Sequence, residues 1–195
     1  NYKGYVINKK FSQYIKPSHK VAVLKAKFYK FPNKREEISK LTFGSKIKVL
    51  DKKANFFKFK KGWIGSKDVK QLSYKEKNFF SKINIFKNIK YKWGGKSFKG
   101  IDCSALVQIF LNFHKKYCPR DAKDQVKYFR KNISLKKIKK NDLIFWKGHV
   151  AVALSNKKLI HAYGPMKKTV IMGINQTIIR IKRTANLEVI GIKRP

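Results

Sequence analysis

Tyr91-Lys92-Trp93-Gly94-Gly95-Lys96-Ser97-Phe98-Lys99-Gly100-Ile101-Asp102-Cys103-Ser104 is the stretch on which the reading of this sequence turns. A glycine-rich approach delivers Cys103 to the start of a helix. Asp102 can cap the orphan amides, and Leu106, Ile109, Phe110 and Phe113 recur at the spacing of one apolar helix face. The helix should stop before Pro119. Free backbone amides and the helix dipole at such a position stabilise a thiolate, and the same amides can donate to an oxyanion. A lone cysteine is more commonly a small buried hydrophobe, so position alone does not make Cys103 a nucleophile.

Two later histidines supply what the thiol lacks. His149 opens an apolar strand in Asp142-Leu143-Ile144-Phe145-Trp146-Lys147-Gly148-His149-Val150, and His161 follows 12 residues later in Leu159-Ile160-His161-Ala162-Tyr163. That spacing lets two adjacent antiparallel strands place both rings on one sheet face. An imidazole beside a thiol can accept and return its proton, and a second imidazole can hold the first in its productive tautomer. Zinc is the competing use of one Cys and two His, but no Cys-x-x-Cys or His-x-x-x-His cluster accompanies them, and no cofactor is called for. His19 and His114 lack this context, and His114, among lysines near a helix end, is expected to be solvated.

Residues 75–192 change character along their length. Phe79, Ile83 and Phe86 predict an amphipathic helix ahead of the cysteine helix. Beyond Asn141 the pattern turns to strands at 143–146, 150–154, 159–162, 170–172, 178–181 and 188–192. Helices followed by an antiparallel sheet is an α+β order. Upstream, short strands at Tyr5-Val6-Ile7, 21–24, 46–50, 56–59 and 62–65 are broken by Pro32-Asn33, Gly44-Ser45 and Lys61-Gly62, which suggests a small β-barrel with a boundary near residues 70–75.

Composition bounds these readings. In 195 residues, 49 Lys and Arg stand against 10 Asp and Glu, a formal charge of +39. That surface should attract polyanions, yet the lysines are spread through every segment and no nucleic-acid-binding motif accompanies them, so no specific nucleic acid is expected. Cys103 and Cys118 make no disulfide framework. No run approaches the ~20 apolar residues of a membrane span. The chain starts at Asn1 without Met and enters a strand-like stretch directly, which reads as a fragment or a processed form.

Five blocks in order, Tyr91-x-Trp93-Gly94-Gly95, Gly100-Ile101-Asp102-Cys103-Ser104, Pro119-Arg120-Asp121-Ala122, Asp142-Leu143-Ile144-Phe145 with Gly148-His149-Val150, and His161-Ala162, resemble the NlpC/P60 family of papain-like cell-wall cysteine peptidases. Ala105 stands where many members have Gly. Phe43-Gly44-Ser45-Lys46-Ile47 and Gly62-Trp63-Ile64 resemble markers of a bacterial SH3-like module. The resemblance implies the end of a truncated SH3-like barrel over 1–18, a second barrel over 19–73 and a papain-like peptidase domain over 74–195.

It further implies a Cys-His-His site at Cys103, His149 and His161 that cleaves peptidoglycan stem peptides between γ-D-glutamate and a diamino acid. The arrangement is nearest to the γ-D-glutamyl-L-diamino acid endopeptidases, which prefer short stems with a free N-terminal L-Ala. On that likeness Asp102 receives the substrate amine with Ser104 beside it, Tyr91 helps bind the oxyanion, and Tyr2 closes the amine pocket. A monomer is expected, in a bacterial cytoplasm where wall peptides are recycled rather than in the periplasm or outside the cell. The alternative is a non-catalytic module that holds a wall polymer or another polyanion.

Overall fold

The computed structural model describes residues 14–195, so Tyr2, the strand expected at residues 5–7 and most of the expected 1–18 unit lie outside the described residues. Eight strands come first: β1 (His19–Val21), β2 (Lys25–Tyr29), β3 (Glu37–Thr42), β4 (Lys46–Ile47), β5 (Asp51–Lys53), β6 (Phe56–Phe59), β7 (Gly62–Gly65) and β8 (Val69–Gln71). They form an antiparallel sheet β3-β2-β7-β6-β5 and a smaller sheet β4-β1-β8. Val21, Ala26, Phe28, Ile47, Phe59, Ile64 and Val69 enclose a core of their own. Gly62 turns the β6–β7 hairpin at φ +144°, where a side chain would also collide with the carbonyl of Tyr29, so both backbone angle and space require glycine.

The remainder is α+β. After β9 (Lys96–Ser97) and β10 (Gly100–Ile101) come α1 (Cys103–Phe113) and α2 (Ala122–Tyr128), then β11 (Leu143–Trp146), β12 (His149–Ala153), β13 (Lys158–Tyr163), β14 (Lys168–Gly173), α3 (Ile174–Ala185) and β15 (Val189–Lys193). The last five strands make one antiparallel sheet in the order β14-β13-β12-β11-β15. Alternation along its strands sends Leu143, Phe145, Val150, Val152, Ile160 and Ala162 into one core with α1. Ile144, Trp146, Ala151, Ala153 and Leu159 enter the other core, with Ile174 and Ile181 of α3. Both faces are thus covered, which is why these strands read as near-continuous apolar runs.

Two expectations are corrected. The amphipathic helix over Phe79, Ile83 and Phe86 is a chain of turns with one 3₁₀ segment, Ile83–Phe86. Its amides bond three residues back, Ser81 to Asn78, Ile83 to Phe80, Ile85 to Lys82 and Ile89 to Phe86, so the apolar side chains reach the core without an α-helix. The strand expected at 178–181 is instead the middle of α3. Its β-branched run suggested a strand, but Ile174, Thr177 and Ile181 are the buried positions, a helical period, and Asn186 ends the helix in the left-handed region at φ +52°. One strand therefore follows the last helix, and the order of helices before sheet holds only up to β14.

The two parts are joined by packing. Phe43, between β3 and β4, stacks on Phe113 at 4.6 Å and lies 4.7 Å from Phe110, both on α1. The ammonium of Lys20 is buried and donates to the carbonyls of Leu72, Tyr74 and Phe113. The latter oxygen belongs to the last turn of α1, where cations are favoured by the dipole.

Candidate active site

The approach to Cys103 is tight. Gly94 has φ +73°, and at Gly95 an added Cβ would lie 2.6 Å from the carbonyl oxygen of Gly100. The chain therefore folds back on itself, and the Asp102 amide bonds the Gly95 carbonyl at 3.2 Å. Asp102 caps α1 by accepting from the Ala105 amide at 2.8 Å. Cys103 follows as the first helical residue and is buried. Its thiol faces the backbone amides of Cys103, Ser104 and Val150, the residue after His149. Those three donors favour a thiolate, but burial outweighs them and pushes the thiol up to about 11.

The histidines meet as their spacing requires. Strand β13 pairs with β12 in the register Val152 to Ile160 and Ala153 to Leu159. Nε2 of His149 lies 2.8 Å from Nδ1 of His161, so the Nδ1 edge of His149 is left for another partner. Burial lowers His149 to about 4, and burial with the neighbouring His149 charge lowers His161. Both rings are therefore neutral near pH 7. If His149 Nδ1 is to accept a proton, Nε2 must carry the hydrogen and donate to His161. Tyr163 stacks on His161 at 4.6 Å and 13° between planes, and Trp146 lies 5.7 Å from His149, so the pair is fixed by packing as well.

A cleft of about 710 Å³ opens over the thiol, lined by Tyr91, Trp93, Asp102, Ser104, Arg120 and Gly148 among others. Tyr91 is held by its amide to the Lys167 carbonyl at 2.8 Å. Burial first, then the nearby Cys103 and Asp102, raise its hydroxyl pKa, which sets it beside both groups. Cys103, Tyr91, Asp102 and Ser104 thus share one cleft, with Gly148, the residue before His149, in its lining. His161 backs His149 from the interior, fully buried.

Arg120 is the candidate residue that sequence reasoning quoted but gave no role. Its Nη2 lies 2.5 Å from Asp102 Oδ2, and its Nη1 is 3.0 Å from both Asp102 Oδ1 and Ser104 Oγ. Asp102 also accepts from the Gly94 amide at 2.9 Å and the Ser104 hydroxyl at 3.2 Å. One carboxylate therefore ties together the glycine loop, the start of α1 and the loop before α2. Gln125 of α2 adds to this by donating to the carbonyls of Ser104 and Pro119, each at 2.9 Å. Arg120 stands in the block Pro119-Arg120-Asp121-Ala122, but its partner is 18 positions away in a chain of 49 Lys and Arg, so its role is not legible in the sequence.

The remaining cysteine and histidines lie elsewhere. Cys118 is a buried free thiol that burial pushes up to about 12. His114, expected to be solvated, is buried at the end of α1, where its Nδ1 accepts from the Glu76 amide at 3.1 Å. His19 sits on β1 beside Ser18 and Phe57. Among the described residues no three His, Cys, Asp or Glu side chains gather as a metal site, and no helix is long and apolar enough to cross a membrane.

A buried cysteine at a helix start packs against a sheet that carries two hydrogen-bonded histidines, and the chain belongs to the NlpC/P60 family, whose profile matches residues 88–185. It is 26% identical over 179 residues to a gamma-D-glutamyl-L-lysine dipeptidyl-peptidase of Bacillus subtilis, covering 84% of this chain and 60% of that one. It is 39% identical over 72 residues to dipeptidyl-peptidase 6 of Lysinibacillus sphaericus, covering 37% of this chain and 27% of the relative. The fold is similar to the crystal structure of an NlpC/P60 family protein from Bacillus cereus, with a TM-score of 0.75 and 21% identity over 91% of this chain and 63% of that one. The chain thus spans less than two thirds of the length of each of these proteins.

Proposed function

We propose that this protein is a cysteine peptidase that cleaves peptidoglycan stem peptides at the bond between γ-D-glutamate and a diamino acid. The observation that carries the reading is the placement of Cys103 at the start of α1, against the amide of Val150 next to His149, together with the 2.8 Å contact of His149 Nε2 with His161 that leaves His149 Nδ1 available for the thiol proton. Cys103 gives its proton to His149 Nδ1 as sulfur attacks the γ-carbonyl carbon. The oxyanion is received by the amide at the start of α1 and the Tyr91 hydroxyl. Collapse expels the diamino acid amine, which takes the proton back from His149. Water then attacks the thioester, gives one proton to His149, and releases the acid while the thiol is restored.

Thiol and imidazole start neutral, so the sulfur becomes anionic only as the proton moves. His161 holds the Nε2 hydrogen of His149 and spreads the charge of the imidazolium. Asp102 and Ser104 form the wall that receives the L-Ala amine of a short stem, and the amine shares the Asp102 carboxylate with Arg120. Residues 19–73 serve as an SH3-like barrel beside the peptidase domain over 74–195, and the free-ended substrate suits recycling of wall peptides by a monomeric cytoplasmic enzyme.

Incubation with L-Ala-γ-D-Glu-diaminopimelate should release L-Ala-γ-D-Glu, and Cys103→Ser should abolish release while the fold is kept. Blocking the substrate N-terminus should raise KM. No cleavage, or cleavage that survives Cys103→Ser, removes the reading. The presence of the complete Cys, His and His set favours the enzyme over a purely binding module.

A further inference from the structure

A second concavity, about 870 Å³, lies along the seam between the β-rich part and the far end of α1. Five lysines line it, Lys20, Lys46, Lys96, Lys115 and Lys116, with no Asp or Glu. Phe43, Ile109 and Phe113 form its apolar floor, and Thr42, Ser45 and Asn112 add small polar groups. We propose that this groove binds an anion carrying two or more phosphate groups, held between Lys46 on one wall and Lys115 and Lys116 on the other. The inference does not rest on the proposed peptidase reaction.

Three observations lead there. A helix C-terminus ordinarily repels anions, but the last three carbonyls of α1 already have donors. Lys20 Nζ bonds the Phe113 carbonyl, and the amides of His114, Lys115 and Lys116 bond Leu111, Asn112 and Leu111. The lysines also repel one another. Burial first, then Lys115, Lys46 and Lys75, lower Lys20 to about 8, and a bound anion would relieve that repulsion. Finally, five ammonium groups line the groove with no carboxylate among them, and a phosphate group carries up to about two negative charges where a carboxylate carries one, so an oligophosphate neutralises that charge with the fewest groups.

The position gives binding a structural consequence. A ligand touching β4 and the end of α1 bridges the two parts, so it should stabilise their docking by mass action. Lys96 lines both this groove and the Cys103 cleft, and its ammonium donates to Gln108 Oε1 at 2.6 Å.

The test is calorimetric titration of the full 195-residue chain with tripolyphosphate, pyrophosphate, tricarballylate and a single-stranded 20-mer oligonucleotide at about 0.15 M salt, where exposed charges beyond ~8 Å are screened. The variants are Lys46→Glu/Lys115→Glu and, as a control with the same charge change, Lys136→Glu/Lys137→Glu at the distant 3₁₀ turn Leu135–Lys137. Melting curves of both establish that they fold. Tripolyphosphate should bind more tightly than pyrophosphate or tricarballylate, raise the melting temperature, and lose at least tenfold in affinity in the groove variant with less than twofold loss in the control. Equal loss in both variants would assign the binding to net charge and overturn the proposal, as would no binding by the unaltered protein. Tighter binding of tricarballylate overturns the phosphate preference. Groove-dependent binding of the oligonucleotide alone would make the site one for nucleic acid and overturn it too. Should the glutamate variant not fold, Lys46→Gln/Lys115→Gln is to show the same difference in smaller measure.

Discussion

Acidifying the protein should cost it the stability that depends on an uncharged His149, and the amount can be worked out. Burial lowers this ring to about 4 in the fold, against about 6.5 in the unfolded chain. A depressed base favours folding while it is neutral. The stabilisation is therefore complete above about pH 6.5 and is lost as pH falls toward 4. At pH 4.5 the full shift corresponds to about 2.5 kcal/mol, and since His149 is only partly buried, solvent screening reduces this to about 2 kcal/mol. With a urea slope near 2 kcal/mol/M, the midpoint should fall by about 1 M between pH 7.5 and 4.5. Trp146, buried 5.7 Å from His149, is a suitable fluorescence reporter. His149→Asn is less stable at pH 7.5, because His161 loses its partner, but it should lose about 1 M less in midpoint on acidification. If the variant and the parent lose the same midpoint over this interval, burial of His149 is not the cause and the neutral-pair description of the site is wrong.

The same description has kinetic consequences. With a neutral thiol at about 11, Cys103 should react with iodoacetamide at pH 7 more than about 10²-fold slower than a free cysteine, yet faster than Cys118, as read from labelled peptides. Fast labelling near pH 6 would instead reveal a resting ion pair. The acid limb of kcat/KM for stem-peptide cleavage should fall well below 6.5, near 4, because His149 must be neutral to accept the proton. Arg120→Leu leaves Asp102 charged and nearly buried without its guanidinium, which should destabilise by about 3 kcal/mol in urea melts. The double variant with Asp102→Asn should recover more than half of that. Phe43→Ala removes a buried ring that stacks on α1 and should cost about 3 kcal/mol. An unchanged melting curve would show that the seam does not hold the two parts together.

Much of the site was legible before any fold was known, for reasons that are local. Asp102 before an apolar period of 3.6 gives the cap and the helix, so Cys103 must lie at its start. His149 and His161 were legible as a pair because two short apolar runs 12 residues apart fit adjacent antiparallel strands. The errors arose where local pattern had two solutions. Phe79, Ile83 and Phe86 satisfy a helix and also a chain of three-residue turns, and tertiary packing against Phe43 and Phe110 settles which. The isoleucines of α3 have strand propensity, yet the free apolar face of the sheet, with Ile144, Ala151 and Leu159, needed a helix to cover it.

The sequence by itself determined that a thiol begins a helix and that two imidazoles share a sheet, because capping, glycine approach and hydrophobic period act over a few residues. Only the tertiary structure decided the protonation of that site, because burial of Cys103 and His149 depends on segments far apart in the chain. It alone joined Arg120 to Asp102, and it alone gathered five lysines, from β1, β4, β9 and the end of α1, along one seam. Charge spread evenly along a chain has no site until folding gives it one.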